Sequence, residues 1–399
     1  QPACAGDQVD EIADPGLGSA GLDVTDERRR EVIIRFQQIC GAVQAKGVED
    51  TAFYRWTHMV SLNEVGSTPE VFSLDLDRFH AFEQKLQASW PATMTCGTTH
   101  DTKRGEDVRA RISLLSQRAT DWSSLITQLR SISASFRPAN IDGRAENMMW
   151  QTIVGTWAHT DRITPDRLRE YLTKAIREQK EWTSWTNQDT KREDEFLDFA
   201  TEVIEHPEIQ ELLDEWCDSN EDLIRSVILP MKAMQLTLPG VADVYQGTEI
   251  TRTSLVDPDN RRPVDFEALQ ELLTHLEGAK PKTLDEEKMM VTSTLLRLRR
   301  DLPEVFVSAK AGYEPLPTSS GHCIAYARTY DSSPEILTVA VRRAASLEEI
   351  GGWGDTSVVL PEGHWVDVFT GNHFDGGDTH VEDILCDYPV AVLRNANEG

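Results

Sequence analysis

The stretch Met94-Thr95-Cys96-Gly97-Thr98-Thr99-His100-Asp101 joins a short, apolar and β-branched run to two polar side chains. This pattern predicts a strand that presents His100 and Asp101 at its C-terminal end. Barrel folds hold their chemistry in polar groups at the carboxyl ends of the strands. A buried carboxylate beside a histidine can bind vicinal sugar hydroxyls, because each hydroxyl needs an acceptor and a donor. The alternative is that Asp101 caps a helix and that His100 is its hydrogen-bonded neighbour.

The sequence on either side of this strand predicts further helices and a second strand. Apolar residues from 25 to about 44 recur at three- and four-residue steps, which predicts a helix with Thr25 as its N-cap. A Pro-Gly turn at Pro239-Gly240 leads into a second buried strand that ends near Gln246. The residues between the two strands are mostly helical by pattern, most clearly where Thr164-Pro165 opens an apolar stripe.

After about Glu304 the sequence changes from helical periodicity to short runs in which apolar and polar residues alternate. Short alternating runs predict strands at 322–328, 336–342, 356–360, 365–369 and 389–394. Turn signals separate these runs, so we expect an antiparallel β-sandwich at the C-terminal end. The predicted fold class is therefore α/β followed by all-β.

Composition narrows the class of partner and the compartment. The 399 residues are enough for two or three globular units, and the net charge of −27 disfavours a nucleic-acid or anionic membrane partner, so we expect neither. Six cysteines lie far apart without CxxC spacing, which indicates free thiols in a reducing compartment. The sequence contains no apolar run of about 20 residues that could span a membrane. These features predict a cytoplasmic protein.

Cofactor and metal motifs are absent or lack their context. Gly16-Leu17-Gly18-Ser19-Ala20-Gly21 matches GxGxxG, but the acidic residues before it end in Pro15 and predict no buried strand. The histidines and cysteines show no metal-ligand spacing, and no GxSxG elbow occurs. We therefore expect neither a cofactor nor a metal.

Two further segments are candidates for binding. The run Asp257-Pro258-Asp259-Asn260-Arg261-Arg262-Pro263 combines carboxylates, guanidinium groups and two prolines, and is either a rigid loop at a site or a solvated turn with salt bridges. Trp182 and Trp185 adjoin a polar loop, and exposed indole faces near carboxylates suit sugar rings. Tryptophan is also a common core residue, and Trp150 and Trp157 are expected to pack within the fold.

Taken together, these segments resemble the C-terminal half of the maltooligosyl trehalose synthases, a family of α-amylase-type enzymes. The matches are co-linear and run from about residue 29 to residue 266. They comprise 35–38, 46–55, 61–66, 99–104, 106–111, 150–155, 183–187, 238–249 and 254–263.

The resemblance implies the C-terminal part of a (β/α)₈ barrel with a helical insertion, followed by the β-sandwich. The seventh barrel strand ends at His100-Asp101, the eighth spans Gly240 to Gln246, and the segment 48–55 forms the sixth strand and its following loop. The implied regions are an N-terminal arm that is mobile or non-native (1–24), strands six and seven (25–101), the mainly helical insertion (102–239), strand eight with its helices (240–303) and the sandwich (304–399).

The resemblance also assigns the site. His100 and Asp101 hold the 2- and 3-hydroxyls of the attacked sugar, and Asp101 stabilises the oxocarbenium-like transition state. The implied substrate-binding residues are Glu49, Asp50, Tyr54, Lys103, Arg104, Trp185, Asp257, Asp259, Asn260, Arg261 and Arg262.

The sequence departs from the family in one respect. The family's nucleophile lies in a GxRxDH motif on the fourth strand and its acid/base on the fifth, and neither context occurs here. The resemblance implies conversion of the reducing-end α-1,4 linkage of maltooligosaccharides to α,α-1,1, with the N-terminal half of the barrel as the missing partner. This chain alone is then expected to be inactive. The alternatives are another α-glucan hydrolase or transglycosylase of the clan, or a non-catalytic glucan-binding protein.

Overall fold

The computed structural model describes residues 26–396. Three sequence predictions lie outside these residues, namely the N-cap at Thr25, the 1–24 arm and the GxGxxG stretch. The described chain consists of helices around two short parallel strands, followed by an antiparallel sheet.

The helical elements are numbered in chain order. They are α1 (Asp26–Val43), a π-helix (Gln44–Ala52), α2 (Phe53–Arg55), a 3₁₀ turn (Val60–Leu62), α3 (Leu76–Ser89), α4 (Glu106–Gln117), α5 (Ala119–Ser133), α6 (Gly143–Thr156), α7 (Pro165–Gln179), α8 (Thr190–Glu205), α9 (Pro207–Ser219), α10 (Glu221–Thr237), a 3₁₀ turn (Asp259–Arg261), α11 (Phe266–Leu276), α12 (Leu284–Asp301), α13 (Pro303–Val307), α14 (Ala344–Glu349) and α15 (Val381–Ile384).

The first helix is confirmed, whereas the predicted sixth strand is wrong. Helix α1 covers the predicted range and continues through the π-helix into α2, so the segment 48–55 is helical. A strand needs a neighbouring strand for its backbone N–H and C=O groups. No strand of the described residues pairs with this segment, and a helix satisfies those groups within itself.

Strands β1 (Met94–Cys96) and β2 (Val241–Asp243) are parallel neighbours, with Met94 opposite Val241 and Cys96 opposite Asp243. Gly240 precedes β2 with a φ of 111°, and a Cβ there would come within 2.8 Å of the Thr93 carbonyl oxygen. Because the strands are parallel, the residues after Cys96 and after Asp243 emerge at the same edge. The two strands predicted to end at the site are therefore adjacent.

The predicted helical region between the two strands is confirmed, and it contains a large apolar core contributed mainly by α4 and α6 to α9. Helix α7 begins as predicted, since the Thr164 side chain accepts from the Arg167 backbone N–H and Pro165 occupies the first turn. Trp150 and Trp157 are buried in this core, as expected.

The C-terminal sheet has six antiparallel strands rather than the two sheets of the predicted sandwich. These strands are β3 (Ala311–Pro315), β4 (Cys323–Tyr330), β5 (Ser333–Val341), β6 (Ser357–Asp367), β7 (His373–His380) and β8 (Val390–Asn395), in the order β3-β4-β5-β8-β6-β7. The predicted strands 356–360 and 365–369 are merged in β6, and β3 and β7 were not predicted. Alternation identifies a strand but does not say which strands pair.

Helices α10 and α12 cover one face of this sheet. Leu229, Leu236 and Leu295 from these helices pack against Ile336 and Val392 from the strands. The other face has its own apolar cluster around Trp365 and α15. Since α10 leads directly into β2, the sheet braces the strand that borders the site.

Within residues 26–396 the thiols of Cys40, Cys96, Cys217, Cys323 and Cys386 are free, as the spacing predicts. The helices of the same residues are all too short or too polar to cross a lipid bilayer.

Candidate active site

The turn after β1 presents His100 and Asp101 at the protein surface. The Thr99 hydroxyl oxygen accepts hydrogen bonds from the backbone N–H groups of Asp101 and Thr102, both at 3.1 Å. The sequence pattern predicts a buried carboxylate at this position. That prediction is wrong, because Asp101 is exposed. Helix α4 has Gly105 as its N-cap and no side-chain cap, so the alternative of a helix-capping Asp101 is wrong.

Asn260 holds this turn from the loop after β2. Its Nδ2 donates to the His100 carbonyl oxygen at 2.9 Å and to the Thr99 carbonyl oxygen at 3.2 Å, and the residue is buried. The Asn260 amide therefore fixes the backbone that carries the two predicted catalytic groups. Its predicted contact with substrate stays a prediction.

Asp50 lies between two ammonium groups beside this turn. Lys103 Nζ is 2.6 Å from Asp50 Oδ1, and Lys46 Nζ is 2.5 Å from Asp50 Oδ2. Burial alone would raise the pKa of Asp50, but the hydrogen bonds from Lys103 and Lys46 hold that pKa below its ordinary value. Asp50 is therefore a carboxylate, and it joins the π-helix to the turn.

The charges of Lys46 and Asp101 interact. The hydrogen bond to Asp50 is the main cause of the raised pKa of Lys46, and the charge of Asp101 adds a smaller contribution of the same sign. The predicted transition-state carboxylate thus lies near an exposed ammonium group.

Helix α7 brings Lys174 to the same place, a residue that the sequence reasoning missed. Lys174 Nζ donates to the Asp257 carbonyl oxygen at 2.7 Å. Its pKa is lowered by partial burial and by the nearby charge of Lys103, against the opposing charge of Asp257. Tyr171, Lys174 and Glu178 recur at helical spacing, and this stripe is the signal that could have indicated a functional helix face.

Trp185 is half exposed, at 49%. Its Nε1 donates to Glu178 Oε1 at 2.9 Å, and the Arg177 guanidinium lies 5.1 Å from the ring centroid. The indole is thus linked to the Lys174 face of α7 through Glu178. A sugar contact by Trp185 stays a prediction.

The predicted substrate residues Arg104, Tyr54 and Glu49 are buried, as are Lys103 and Asn260. Arg104 donates to Tyr171 Oη at 2.7 Å and to the Val60 carbonyl oxygen at 3.2 Å. Tyr54 is buried beneath Lys103, and Glu49 accepts from the Gly66 backbone N–H at 3.4 Å. In this structure these side chains bind other residues of the chain, and their contact with substrate stays a prediction.

Ion pairs fasten the 257–263 loop to the helical region. Arg167 contacts both carboxylate oxygens of Asp259, at 2.7 and 3.0 Å, and Arg262 contacts both oxygens of Asp161, at 2.8 and 2.9 Å. The pair of Asp257 with Arg261 is exposed, as in a solvated turn. The loop combines both sequence interpretations, because Asp259 and Arg262 are held by buried or part-buried ion pairs whereas Asp257 and Arg261 are exposed.

Glu64 is a second group that sequence reasoning did not single out, although it occurs in one of the quoted motifs. Its carboxylate accepts from the backbone N–H groups of Lys103 and Arg104 at 2.8 and 3.2 Å. Glu64 also lines a cavity of about 800 Å³ bordered by Val48, Phe53 and Trp56. The Glu64 carboxylate thus holds the backbone that follows the His100-Asp101 turn.

Polar groups gathered at the carboxyl ends of two adjacent parallel strands are typical of the active site of an α/β enzyme. Comparison with known proteins narrows this class. No protein-family model matches the chain. A curated protein of Mycobacterium tuberculosis, named as a maltooligosyl trehalose synthase, is 38% identical over 389 residues, which is 96% of this chain and 48% of that protein.

Solved structures agree with this match. The maltooligosyltrehalose synthase from Arthrobacter ramosus is 39% identical with a TM-score of 0.81, and the match covers 91% of this chain and 46% of that one. Another maltooligosyl trehalose synthase is 27% identical with a TM-score of 0.76, and 48% of it is covered. The resemblance is confirmed: nearly all of this chain is similar to part of a maltooligosyl trehalose synthase. The chain spans about half the length of the curated relatives it matches.

Proposed function

We propose that this chain supplies the acceptor side and one catalytic carboxylate of an intramolecular transglucosylase. The reaction converts the reducing-end α-1,4 linkage of a maltooligosaccharide to α,α-1,1 and gives a maltooligosyl trehalose. The observation that carries the proposal is the exposed His100-Asp101 turn at the end of β1, bordered by Lys46, Asp50 and Lys174. The length of the relatives supports the view that other groups come from outside this chain.

The nucleophile and the acid/base belong, in this proposal, to the half of the relatives that the chain does not span. Retaining glycoside chemistry needs two carboxyl groups about 5 Å apart, one to attack and one to protonate the leaving oxygen. Asp101 is the third carboxylate, and it stabilises positive charge that develops at the sugar ring. His100 supplies a hydrogen-bonding partner for a ring hydroxyl.

Transfer requires that the freed glucose turn and attack before water does. The helical region walls one side of the site through Lys174 and through the ion pairs with the 257–263 loop. A closed wall would retain the glucose and exclude water. The exposed groups of this wall, including Asp257, Arg261 and Trp185, are the proposed contacts with the substrate.

Product stoichiometry tests the proposed function. The complete enzyme, in which this chain is joined to the half it does not span, is incubated with maltopentaose. Reducing ends should disappear with little release of glucose. Accumulation of glucose with a gain of one reducing end per bond hydrolysed would instead identify an α-glucan hydrolase.

The non-catalytic alternative rests on the half-exposed Trp185 and on the absence of a GxRxDH motif from the sequence. A glucan-binding protein would bind maltopentaose and change neither reducing ends nor glucose under the same conditions. The same assay therefore separates the three functions.

Loosening the loop should shift transfer toward hydrolysis. Asp161→Asn removes the charge that holds Arg262, so water should gain access and the ratio of glucose to non-reducing product should rise about threefold to tenfold. The ratio is measured with maltopentaose in the complete enzyme. Asp198→Asn is the matched control, since Asp198 forms an exposed pair with Arg169 away from the loop. An unchanged ratio in Asp161→Asn would contradict the role of the wall.

A further inference from the structure

Four charged side chains are buried together beneath the site. Glu106, Asp107, Lys232 and Lys288 are each at most 7% exposed. Lys232 Nζ lies 2.5 Å and Lys288 Nζ 3.1 Å from Glu106 Oε1, and Lys288 Nζ is 2.8 Å from both oxygens of Asp107. Two positive and two negative charges thus form a neutral group, which we call the buried quartet.

The buried quartet contacts the backbone that leads to the catalytic turn. The Thr98 hydroxyl accepts from the Glu106 backbone N–H at 3.0 Å and donates to Glu106 Oε2 at 3.2 Å. A Cβ at Gly97 would overlap Glu106 Oε2, so the carboxylate lies directly against the end of β1. The quartet is therefore separated from Asp101 by only a short run of chain.

The buried quartet also reaches β2 and the segment after it, directly through Asp107 and Lys288 and through Gln235 from Lys232. Asp107 Oδ2 accepts from the Arg252 backbone N–H at 2.8 Å, and Lys288 Nζ donates to the Ile250 carbonyl oxygen at 3.1 Å. Lys232 donates to Gln235, which donates to the Asp243 carbonyl oxygen at the end of β2. One cluster thus fixes both chain segments that form the site.

A contribution to folding stability does not by itself explain why four charged side chains are buried together. Burying charges costs desolvation energy, and apolar replacements of buried ion pairs are often equally stable or more so. Burial would raise the pKa of Glu106, but Lys288 and Lys232 hold it at about 2, so the carboxylate is fully charged at neutral pH. Charged groups with fixed partners orient the backbone groups that they contact.

We propose that the buried quartet positions the His100-Asp101 turn relative to the 250–262 segment. Its members are positioning residues, since none of them faces the site. The proposal rests on the proposed function, because the exact placement of the turn matters only if Asp101 acts on a reacting sugar. A displacement of about 1 Å at such a group lowers the rate about 10²-fold.

The test is a paired substitution that keeps the volume and the neutrality of the cluster. Glu106→Gln with Lys232→Met leaves the Asp107–Lys288 pair intact. In the complete enzyme kcat with maltopentaose should fall about 10- to 100-fold, with KM within about threefold and the melting temperature close to that of the wild type. Retention of wild-type kcat would overturn the proposal.

Helices α10 and α12 provide a matched control. Arg225 and Glu287 join the same two helices at 2.7 Å but do not contact the strand ends. Arg225→Met with Glu287→Gln should leave kcat unchanged. An equal loss of kcat in this control would show that any weakening of the helix pair suffices, which also overturns the proposal.

A measurement without turnover separates this inference from the proposed function. Amide hydrogen exchange on the 399-residue chain should become faster at 97–104 and 250–253 in the quartet variant, and not in the control. Unchanged exchange there would reject the positioning role whatever the enzyme does. A wild-type enzyme that forms no non-reducing product would reject the proposed function instead.

Discussion

Asp101→Asn in the complete enzyme is expected to lower kcat about 10³-fold or more while KM changes less than about threefold. Asparagine keeps the size of the side chain and one acceptor oxygen, but it removes the negative charge and replaces the other oxygen with a donor NH₂ group. That charge acts mainly in the transition state, when positive charge develops on the sugar ring. Initial rates of reducing-end loss over a range of maltopentaose concentrations give both constants.

The structure makes this substitution a clean test. The Asp101 side chain is exposed, and the turn is held by Thr99 and Asn260 rather than by the Asp101 carboxylate. The fold should therefore survive the change. Asp378→Asn, at an exposed site on β7, is the control and should have normal constants. Near-normal turnover in Asp101→Asn would refute the role assigned to this carboxylate.

The second large effect concerns the association of this chain with the half of its relatives that it does not span. Helix α1 buries none of its residues, and Val32, Phe36, Ile39 and Val43 form one exposed apolar stripe at helical spacing. Met94 on β1 is 73% exposed. An exposed apolar stripe of this kind indicates a contact with another protein surface. We propose that the unmatched half of the relatives covers it.

Charge on this stripe should disrupt that association. Phe36→Glu with Ile39→Glu is expected to weaken binding of the unmatched half of the Mycobacterium tuberculosis relative by about 100-fold, because two apolar anchors are lost. Titration with the purified half measures the dissociation constant. Gln37→Glu with Gln38→Glu adds the same charge beside the stripe and should have a much smaller effect. Equal weakening in both variants would point to net charge rather than to apolar contact.

The sequence predicts the elements that local patterns determine. Helix α1, the N-cap of α7 at Thr164, the place of the two strands that adjoin the site and the buried Trp150 and Trp157 are confirmed. Each depends on neighbours within a few residues or on a strong apolar period. The second strand was predicted to be buried and to reach Gln246, which is wrong, because it ends at Asp243 and begins with the exposed Val241. The segment 48–55 was predicted wrongly, since a strand there depends on a partner strand that the described residues do not provide.

The candidate site was predicted only in part, for a similar reason. Sequence motifs identified His100, Asp101 and the 257–263 loop, but they could not show that Asp259 binds Arg167 and that Arg262 binds Asp161. Lys174 and the buried quartet come from helices far along the chain. No spacing rule within one segment brings Asp107 to Lys288, because that contact exists only in the folded chain.

Reconstitution tests whether this chain is one catalytic part of a transglucosylase. The 399-residue chain is incubated with maltopentaose, alone and with the unmatched half of the Mycobacterium tuberculosis relative, and reducing ends and glucose are followed together. We expect no reaction with either part alone and loss of reducing ends without glucose release in the mixture. Loss of reducing ends with this chain alone would contradict this expectation, because the nucleophile and the acid/base would then lie within these 399 residues.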